Sequence, residues 1–323
     1  MKKKKILLIG PFPPPSGGVS VHLQRLLERA KGNPEISLSV FDYNKKKIFH
    51  STGKTSTIFG ALICFFSADI LHIHISHPVK VFLAKLGKLA GKKVIYTQHN
   101  PRDIEWESTK KIIRLADRVV FVFNPISFPE NGILIPAFIP PASKKELPQS
   151  VLEIFGKYAE TFVTVGSSSG KLMDEGGDLY GFDIILDAIH MAVVENAAFI
   201  FVDVQGKMKN IYSEKIREIE IETGKKIIFI AQEVDFPELL KRSTAFIRAT
   251  RSDGDSLSVR EALSLGIPVI ASDCVIRPTG CRLFKTADAK DLSTQIGQLK
   301  NTSRNATLQP DFTDQLFELY RKL

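Results

Sequence analysis

The stretch RSDGDSLSVREALSLGIPVIASD, residues 251–273, decides the fold of the second half of this chain. It opens with a polar loop, continues with a helical pattern over 256–265 and, after a Gly-Ile-Pro break, ends with an apolar strand over 268–271. Asp253 in the loop stands eight positions before Glu261 in the helix. A helix that leads directly into a buried strand predicts one repeat of an α/β sheet.

This order of acid, helix start, second acid and strand is typical of a site for a nucleotide sugar. The first backbone N–H groups of a helix have no partner inside the helix and can bind a phosphate. Carboxylates on either side of the helix start accept hydrogen bonds from sugar hydroxyls. Asp253 and Glu261 are therefore candidate donor-binding acids.

Apolar strands alternate with helical patterns along the rest of the chain. In the first half, strands are predicted at 5–9, 37–43, 70–75, 93–97, 118–123 and 133–135, and helices at 19–29, 58–66, 79–90 and 108–116. In the second half, strands are predicted at 161–165, 198–202, 227–230, 245–247 and 268–271, and helices at 181–194, 212–223, 237–241, 256–265, 289–299 and 313–322. Near-continuous apolar strands indicate parallel sheets covered on both faces. We therefore predict two Rossmann-like, doubly wound α/β domains facing across a ligand-binding cleft.

A proline-rich segment separates the two halves. Residues 136–150 contain four prolines and several polar residues, and this composition predicts a linker. We place the first domain at 1–143 and the second at 144–308.

Composition narrows the class of protein. With 323 residues, of which 44% are hydrophobic and 24% charged, the chain is long enough for two globular domains. The three cysteines form no paired framework, which favours the reducing cytoplasm. Residues 6–9 are too short for the core of a signal peptide, and no segment approaches the roughly 20 apolar residues of a membrane span.

The net charge of +9 raises the question of an anionic partner. Lys45, Lys46, Lys47 and Lys54 precede the apolar helical stretch 58–66. Either that stretch is a buried helix beside solvated lysines, or it contacts an anionic membrane surface from the inner face of the cytoplasmic membrane. The chain has no zinc-ligand pattern, helix-turn-helix or aromatic-basic RNA motif, so nucleic acid is not a predicted partner.

Two features of the first half point to a ligand. Gly17 and Gly18 close the loop GPFPPPSGG and open the next helix, where glycine lets the backbone approach a phosphate or a sugar. The alternative is a turn that simply requires glycine. His99 follows the strand 93–97 and can donate to a sugar or position an acceptor, although a lone histidine is more often structural.

Two further groups have weaker signals. His72 and His74 share one face of a strand, but no carboxylate or cysteine lies at a supporting spacing, so we expect no metal there. In GSSSGK, residues 166–171, the serine hydroxyls, free amides and Lys171 can serve a diphosphate.

These motifs together resemble the GT-B glycosyltransferases, most closely the retaining glycosyltransferase family 4 of bacterial polysaccharide biosynthesis. The resemblance covers nearly the whole chain. Its landmarks are 5–10, the loop to Gly17 and Gly18, 69–74, 96–99, 116–119, 164–166, 253–273 and 317–321. It implies that residues 309–323 form a helix that packs back on the first domain.

The resemblance also implies roles for individual residues. Gly17 and Gly18 would approach the diphosphate and the transferred sugar, and His99 would lie beside that sugar. Asp253 takes the place of the family's first Glu and would contact sugar hydroxyls, which makes His99 and Asp253 the candidate catalytic residues.

Further donor contacts follow from the same resemblance. Asp255, Ser256 and Leu257 would offer backbone groups at the helix start, and Glu261 would bind the nucleotide ribose.

Two positions depart from the family pattern. Ser167 stands where the family usually has Arg, and Tyr180 stands where it usually has Lys. Those cations normally neutralise the leaving diphosphate, on which charge develops during the reaction. The candidate substitutes are Lys171, Arg248 and Arg251, and Arg277 can also face the donor.

The resemblance implies transfer of a hexose from a nucleotide-diphosphate sugar to a hydroxyl of a glycan or lipid-linked acceptor. It implies retention of anomeric configuration, with no metal or other cofactor. The alternatives are a non-catalytic GT-B scaffold or subunit, which the two missing cations favour, and a sugar-nucleotide epimerase.

Overall fold

The chain folds into two compact α/β units. The structure, a computed structural model, describes residues 3–141, 146–166, 173–174, 177–301, 304 and 306–323. Unit 1 comprises Met1–Ala142 and Pro310–Leu323, and unit 2 comprises Ser143–Gln309. Each unit contains a largely parallel sheet with helices on both faces, which confirms the predicted fold class of two Rossmann-like domains.

Unit 1 is built on a sheet with the strand order β4-β3-β2-β1-β5-β6-β7-β8. Its strands are β1 (Lys4–Ile9), β2 (Ile36–Asp42), β3 (Lys47–His50), β4 (Thr55–Ser56), β5 (Ile70–Ile73), β6 (Lys93–Gln98), β7 (Arg118–Phe121) and β8 (Gly132–Leu134). Its helices are α1 (Gly18–Arg29), α2 (Ile58–Ser67), α3 (Val79–Leu89), α4 (Glu107–Leu115) and α12 (Thr313–Lys322), with a 3₁₀ turn at Pro101–Asp103. Helices α1 and α12 cover one face of the sheet, and α2, α3 and α4 cover the other.

The edge of this sheet differs from the sequence prediction. Strands β3 and β4 pair antiparallel with β2 and with each other, whereas the other strands run parallel. No strand is predicted in this lysine-rich stretch, and β3 buries only Ile48 among its four residues. Pairing with β2 therefore stabilises β3 more than its own apolar content does.

Helix α2 is not the buried helix that one alternative predicted. Only Ala61 in this helix is buried, while Phe59, Ile63 and Phe66 are largely exposed. Most of its apolar side chains therefore do not pack into the core. Over the described residues, every helix is too short or too polar to cross a bilayer.

The first part of the predicted linker packs against unit 1, and the boundary between the two units, Ala142–Ser143, falls within the predicted range 136–150. Ala137, Phe138 and Ile139 are buried. His22 Nδ1 lies 2.7 Å from the Ala137 carbonyl oxygen, and Arg25 Nη1 donates to the Ile139 carbonyl at 3.0 Å. The prolines suggested an exposed linker, but the three apolar residues between them anchor the segment on α1.

Unit 2 contains a fully parallel sheet with the order β13-β12-β9-β14-β15-β16. Its strands are β9 (Glu160–Val165), β12 (Ala197–Val202), β13 (Lys226–Ile230), β14 (Ala245–Arg248), β15 (Val269–Ser272) and β16 (Cys281–Phe284), with a separate antiparallel pair, β10 (Met173–Asp174) and β11 (Gly177–Asp178). Its helices are α5 (Gln149–Lys157), α6 (Phe182–Met191), α7 (Met208–Ile211), α8 (Ser213–Thr223), α9 (Phe236–Arg242), α10 (Leu257–Ser264) and α11 (Ala289–Gly297), followed by a 3₁₀ turn at Gln298–Asn301.

A tight corner between β11 and α6 supports the loop that follows β14. The Asp178 carboxylate accepts hydrogen bonds from the backbone N–H groups of Tyr180 at 3.0 Å and Phe182 at 2.7 Å, and so caps α6. Gly181 between them has a φ of +70°, and a Cβ there would overlap the carbonyl oxygen of Ala249. Both the backbone angle and the lack of space require glycine at this position.

We expect Gly181→Ala to destabilise the protein more than Gly224→Ala. Both glycines have a left-handed φ, but a Cβ at Gly224 would meet no described atom within 4 Å. Gly224→Ala should therefore cost about 1 kcal/mol from the backbone angle alone, and Gly181→Ala at least about 1 kcal/mol more because of the overlap. Urea unfolding followed by circular dichroism measures both, and equal costs would contradict the role of Ala249.

Candidate functional site

The polar residues predicted in the second half follow the carboxyl end of β14. Arg248 is the last residue of that strand, and the loop 249–256 leads into α10. Ser256 precedes the helix, but its hydroxyl pairs with that of Ser258 at 3.1 Å. Ser256 therefore does not cap α10, which begins at Leu257, and backbone N–H groups at a helix start are suited to binding a phosphate.

Two arginines hold Asp253 from both sides. Arg248 donates to both carboxylate oxygens, from Nε at 3.0 Å and from Nη2 at 3.1 Å, and Arg277 Nη1 donates at 2.8 Å. Thr250 Oγ1 and the Gly254 N–H donate to the same carboxylate at 3.3 and 3.1 Å. We call Arg248, Asp253 and Arg277 the arginine–aspartate cluster.

The cluster carries a fixed charge. Burial opposes ionisation of Asp253, but the charges and hydrogen bonds of Arg248 and Arg277 outweigh it and lower the pKa of the carboxyl to about 2. Two guanidinium groups and one carboxylate leave one net positive charge. The carboxylate is already occupied by these donors, which differs from the predicted role of a direct contact to sugar hydroxyls.

The two arginines differ in which of their guanidinium nitrogens are bonded to other residues of the chain. Arg277 also donates from Nε to the Ser272 carbonyl at 2.9 Å and from Nη2 to the hydroxyls of Thr250 and Ser272. Arg248 lies 5.0 Å from the centre of the Tyr180 ring, and its Nη1 bonds to no residue in the described part of the chain. Tyr180, which stands where the resembling family has Lys, thus supports a neighbouring cation.

Arg251 has a separate structural partner. Its Nη1 and Nη2 donate to the Asp183 carboxylate at 3.0 and 2.8 Å, and Nη1 also donates to the Asp178 carbonyl. Its backbone N–H donates to the Leu179 carbonyl at 3.0 Å. Arg251 therefore fixes the loop to the β11–α6 corner, and a donor contact would compete with this ion pair.

The remaining donor-side predictions lie on or before α10. Asp255 pairs with Arg260, which also donates from Nη1 to Gln309 at 3.0 Å. Glu261 is buried on α10. Ser167 and Lys171 lie outside the described residues.

Unit 1 gathers four histidines at the carboxyl ends of its strands. His72 is in β5, His74 and His99 follow β5 and β6, and His22 comes from α1. The ring centres are 4.1 Å apart for His72 and His74, 5.2 Å for His74 and His99, and 5.8 Å for His22 and His99. We call these four residues the histidine cluster. In the described ranges no group of three or more His, Cys, Asp or Glu side chains is arranged to hold a metal ion.

Hydrogen bonds fix the orientation of the rings. His72 lies 2.7 Å from Thr97 Oγ1 through Nε2 and 2.8 Å from the Tyr320 hydroxyl through Nδ1. His74 Nδ1 lies 2.9 Å from His99 Nε2. Tyr320 is on α12, so the end of the chain takes part in the arrangement of this cluster.

Burial keeps the histidine cluster neutral. It lowers the pKa of His22 to about 4 and that of His99 to about 3, and the pKa values of His72 and His74 lie well below 6.5 for the same reason, with a smaller effect from the neighbouring imidazoles. All four rings are therefore uncharged near pH 7.

The hydrogen bond between neutral His74 and neutral His99 fixes which ring nitrogen of His99 carries the proton. His74 Nε2 is buried and bonds to no described residue. We assign a lone pair to this atom, because a buried N–H without an acceptor is the costlier arrangement. His74 then donates from Nδ1 to His99 Nε2, and His99 carries its proton on Nδ1. His99, which is only partly buried, thus offers an N–H donor to a ligand.

The predicted glycines lie beside this cluster on α1. Gly17 precedes the helix, and its N–H donates to Ser20 Oγ at 2.9 Å. A Cβ at Gly18 would meet no described atom within 4 Å, so packing inside unit 1 does not require glycine there. His22 lies one turn further along α1. Sequence analysis did not select His22, and its only signal is its place four residues after Gly18.

We expect acid to destabilise unit 1 through the histidine cluster. In the unfolded chain a histidine binds a proton near pH 6.5, whereas His22 in the folded state binds one only near pH 4. The unfolded state therefore binds more protons between these values, and stability falls with decreasing pH by up to about 1.4 kcal/mol per unit and per histidine. Between pH 7.5 and pH 5, the free energy of unfolding measured with urea should fall less for His22→Asn than for the wild type. Asparagine keeps a donor to Ala137 but does not titrate. An equal fall in both proteins would contradict the lowered pKa of His22.

Part of the second unit is similar to a known protein family. Residues 169–301 match the family described as glycosyl transferases group 1. The chain is 25% identical over 234 residues to the UDP-Gal:alpha-D-GlcNAc-diphosphoundecaprenol alpha-1,3-galactosyltransferase of Escherichia coli, over 64% of this chain and 58% of that protein. The chain thus spans less than two thirds of the length of this relative.

Solved structures match the whole fold. Alr3699/HepE of Anabaena, in complex with UDP and glucose, matches 99% of this chain and 100% of its own with a TM-score of 0.71 at 14% identity. The sucrose-phosphate synthase tll1590 of Thermosynechococcus elongatus matches 99% of both chains with a TM-score of 0.69 at 16% identity. The chain therefore has the GT-B fold, and its residues 169–301 match the family of glycosyl transferases group 1.

Proposed function

We propose that this protein transfers a hexose from a nucleotide-diphosphate sugar to a hydroxyl of a glycan or lipid-linked acceptor, with retention of configuration and without a required metal. The observation that carries the proposal is the net positive arginine–aspartate cluster beside the start of α10, within the segment that matches glycosyl transferases. A helix start and a buried guanidinium group are both suited to a diphosphate.

Arg248 is the residue that we assign to the donor diphosphate. It has an Nη1 that no described residue uses, and Asp253 and Tyr180 hold its guanidinium plane in place. It can supply the positive charge that Ser167 and Tyr180 do not. Asp253 then acts as a positioning residue for two arginines, because a contact to sugar hydroxyls would require it to give up one of its present donors.

His99 is assigned to the transferred sugar as a hydrogen-bond donor. A pKa near 3 makes it a poor general base at neutral pH, since efficient bases have pKa values near the working pH. A neutral ring with its proton on Nδ1 can instead donate to a sugar oxygen. Gly17 and Gly18 at the start of α1 allow the backbone to come close to the same ligand.

The relatives favour a uridine nucleotide and a lipid-linked acceptor. The Escherichia coli relative is named for UDP-Gal and for a diphosphoundecaprenol-linked acceptor, and the Anabaena protein binds UDP with glucose. Transfer to such an acceptor would place this protein in the cytoplasm, peripherally at the inner face of the membrane. The proposed partners are the nucleotide sugar, the acceptor and an anionic membrane surface.

The test is a transfer assay with UDP-galactose or UDP-glucose and a lipid-diphosphate-linked N-acetylglucosamine acceptor. We expect release of UDP, an α-linked product by NMR and the same rate in EDTA. A β-linked product would contradict retention, and loss of activity in EDTA would contradict metal independence.

Nucleotide binding distinguishes the proposed enzyme from the alternative of a non-catalytic GT-B subunit, which Tyr180 in the place of Lys favours. Calorimetric titration with UDP, GDP and other nucleoside diphosphates that shows no binding would support that alternative. A nucleotide sugar that changes configuration without an acceptor and without release of UDP would indicate an epimerase.

We expect Arg248→Gln to reduce kcat by roughly 10²- to 10³-fold, the usual cost of removing one donor to a developing charge. UDP affinity should fall as well, whereas Arg217→Gln on the exposed side of α8 should change neither. Steady-state kinetics and calorimetry measure these effects, with circular dichroism as the control for folding. Unchanged kcat and UDP affinity in Arg248→Gln would remove Arg248 from the donor site.

A further inference from the structure

Helix α2 presents an apolar stripe to the outside of unit 1. Phe59, Leu62, Ile63 and Phe66 recur at helical spacing on one side, and Phe59, Ile63 and Phe66 are 74%, 70% and 69% exposed. The helix IFGALICFFS contains no charged residue. A surface helix of a protein that stays in water usually carries charges on this side, so the stripe indicates a contact surface.

Helix α3 extends the stripe on the same face of the sheet. Phe82, Leu86 and Leu89 are exposed at positions i, i+4 and i+7, and Leu89 is 86% exposed. Lys92 Nζ, in the turn after α3, donates to the Phe66 carbonyl at 2.6 Å. This bond connects the end of α2 to the turn after α3, and both helices cover the same face of the sheet.

Lysines are the only charged residues within these two helices. Neither α2 nor α3 contains an acidic residue, and Lys85 of α3 is exposed beside the apolar side chains. Lys88 of α3 is also exposed, but its ammonium group pairs with Asp117 at 2.9 Å. The exposed Lys46, Lys47 and Lys54 lie in the strands and turns that lead to α2. Lysines at the border of an apolar surface can keep their ammonium groups in the headgroup layer while their methylene chains lie against the apolar side chains.

We propose that the outward face of α2 and α3, which we call the α2–α3 face, docks onto an anionic lipid leaflet. Phe59, Ile63 and Phe66 lie below the headgroups, and Lys85 binds lipid phosphates. A second copy of the chain fits this surface less well, because self-pairing would bring lysines against lysines. The proposal names the surface for the membrane location proposed above, and it does not depend on the transfer reaction.

The apolar part is tested with a pair of matched variants. Ile63 on α2 and Ile221 on α8 of unit 2 are 70% and 73% exposed, so both Ile→Asp changes should be tolerated by the fold. Binding is measured by flotation with vesicles of phosphatidylcholine and phosphatidylglycerol. We expect Ile63→Asp to weaken binding at least about tenfold and Ile221→Asp to leave it unchanged. Equal effects of the two variants, or no binding by the wild type, would overturn the proposal.

The charged part is tested with Lys85. Lys85→Gln should weaken binding several-fold and Lys85→Arg should not, and vesicles of phosphatidylcholine alone should bind the wild type poorly. Binding that is independent of phosphatidylglycerol would overturn the role of the lysines. Dimers that Ile63→Asp converts to monomers, seen by analytical ultracentrifugation without lipid, would show that a second copy occupies this face.

UDP binding by calorimetry, measured on the same samples, separates this proposal from the proposed function. Ile63→Asp should bind UDP as the wild type does, because α2 lies outside the donor site. Binding to vesicles without binding of nucleotide would support the docking surface and contradict the proposed transfer reaction.

Discussion

The pairing of Asp253 with two arginines is the interaction on which the candidate site of unit 2 depends. Each of these charges would be costly to bury alone, and together they satisfy one another at the end of β14. Because Arg251 is also tied, to Asp183, the loop before α10 is held at two of its residues, Arg251 and Asp253. A loop fixed in this way presents its positive charge without having to reorganise around a ligand, which is the condition for strong electrostatic stabilisation.

The parallel strands were predictable because they are continuous apolar runs, and β1, β5, β6, β9 and β12 lie within one or two residues of the expected positions. The elements that were not predicted include the hairpin β3–β4, α5, α7 and β16. The hairpin buries little of its own surface, and α7 has only four residues. The buried Phe138 was missed for the opposite reason, since the prolines around it suggested a linker.

In the candidate site, the residues predicted from nearby sequence differ from those that reach the site from distant parts of the chain. Asp253 and Glu261 were predicted from their places on either side of a helix start, and that helix begins within one residue of the predicted position. Arg248 was predicted as a substitute for the missing cations. The sequence does not contain the information that Arg277 completes the bonding of Asp253 or that Tyr180 lies against Arg248, because these contacts join separate strands and loops. His22 reaches the other histidines from a helix, and no spacing rule relates it to His74 or His99.

The last helix belongs to the first unit. Leu316, Phe317 and Tyr320 of α12 lie in the same buried cluster as α1 and β1, and Tyr320 bonds to His72 of β5. During synthesis on the ribosome, all of unit 2 therefore emerges before the core of unit 1 can close. Until then, the apolar surface that α12 will cover is open to water, and His72 lacks the hydroxyl group that orients it. The order of translation thus makes the first unit to be synthesised the last to be completed.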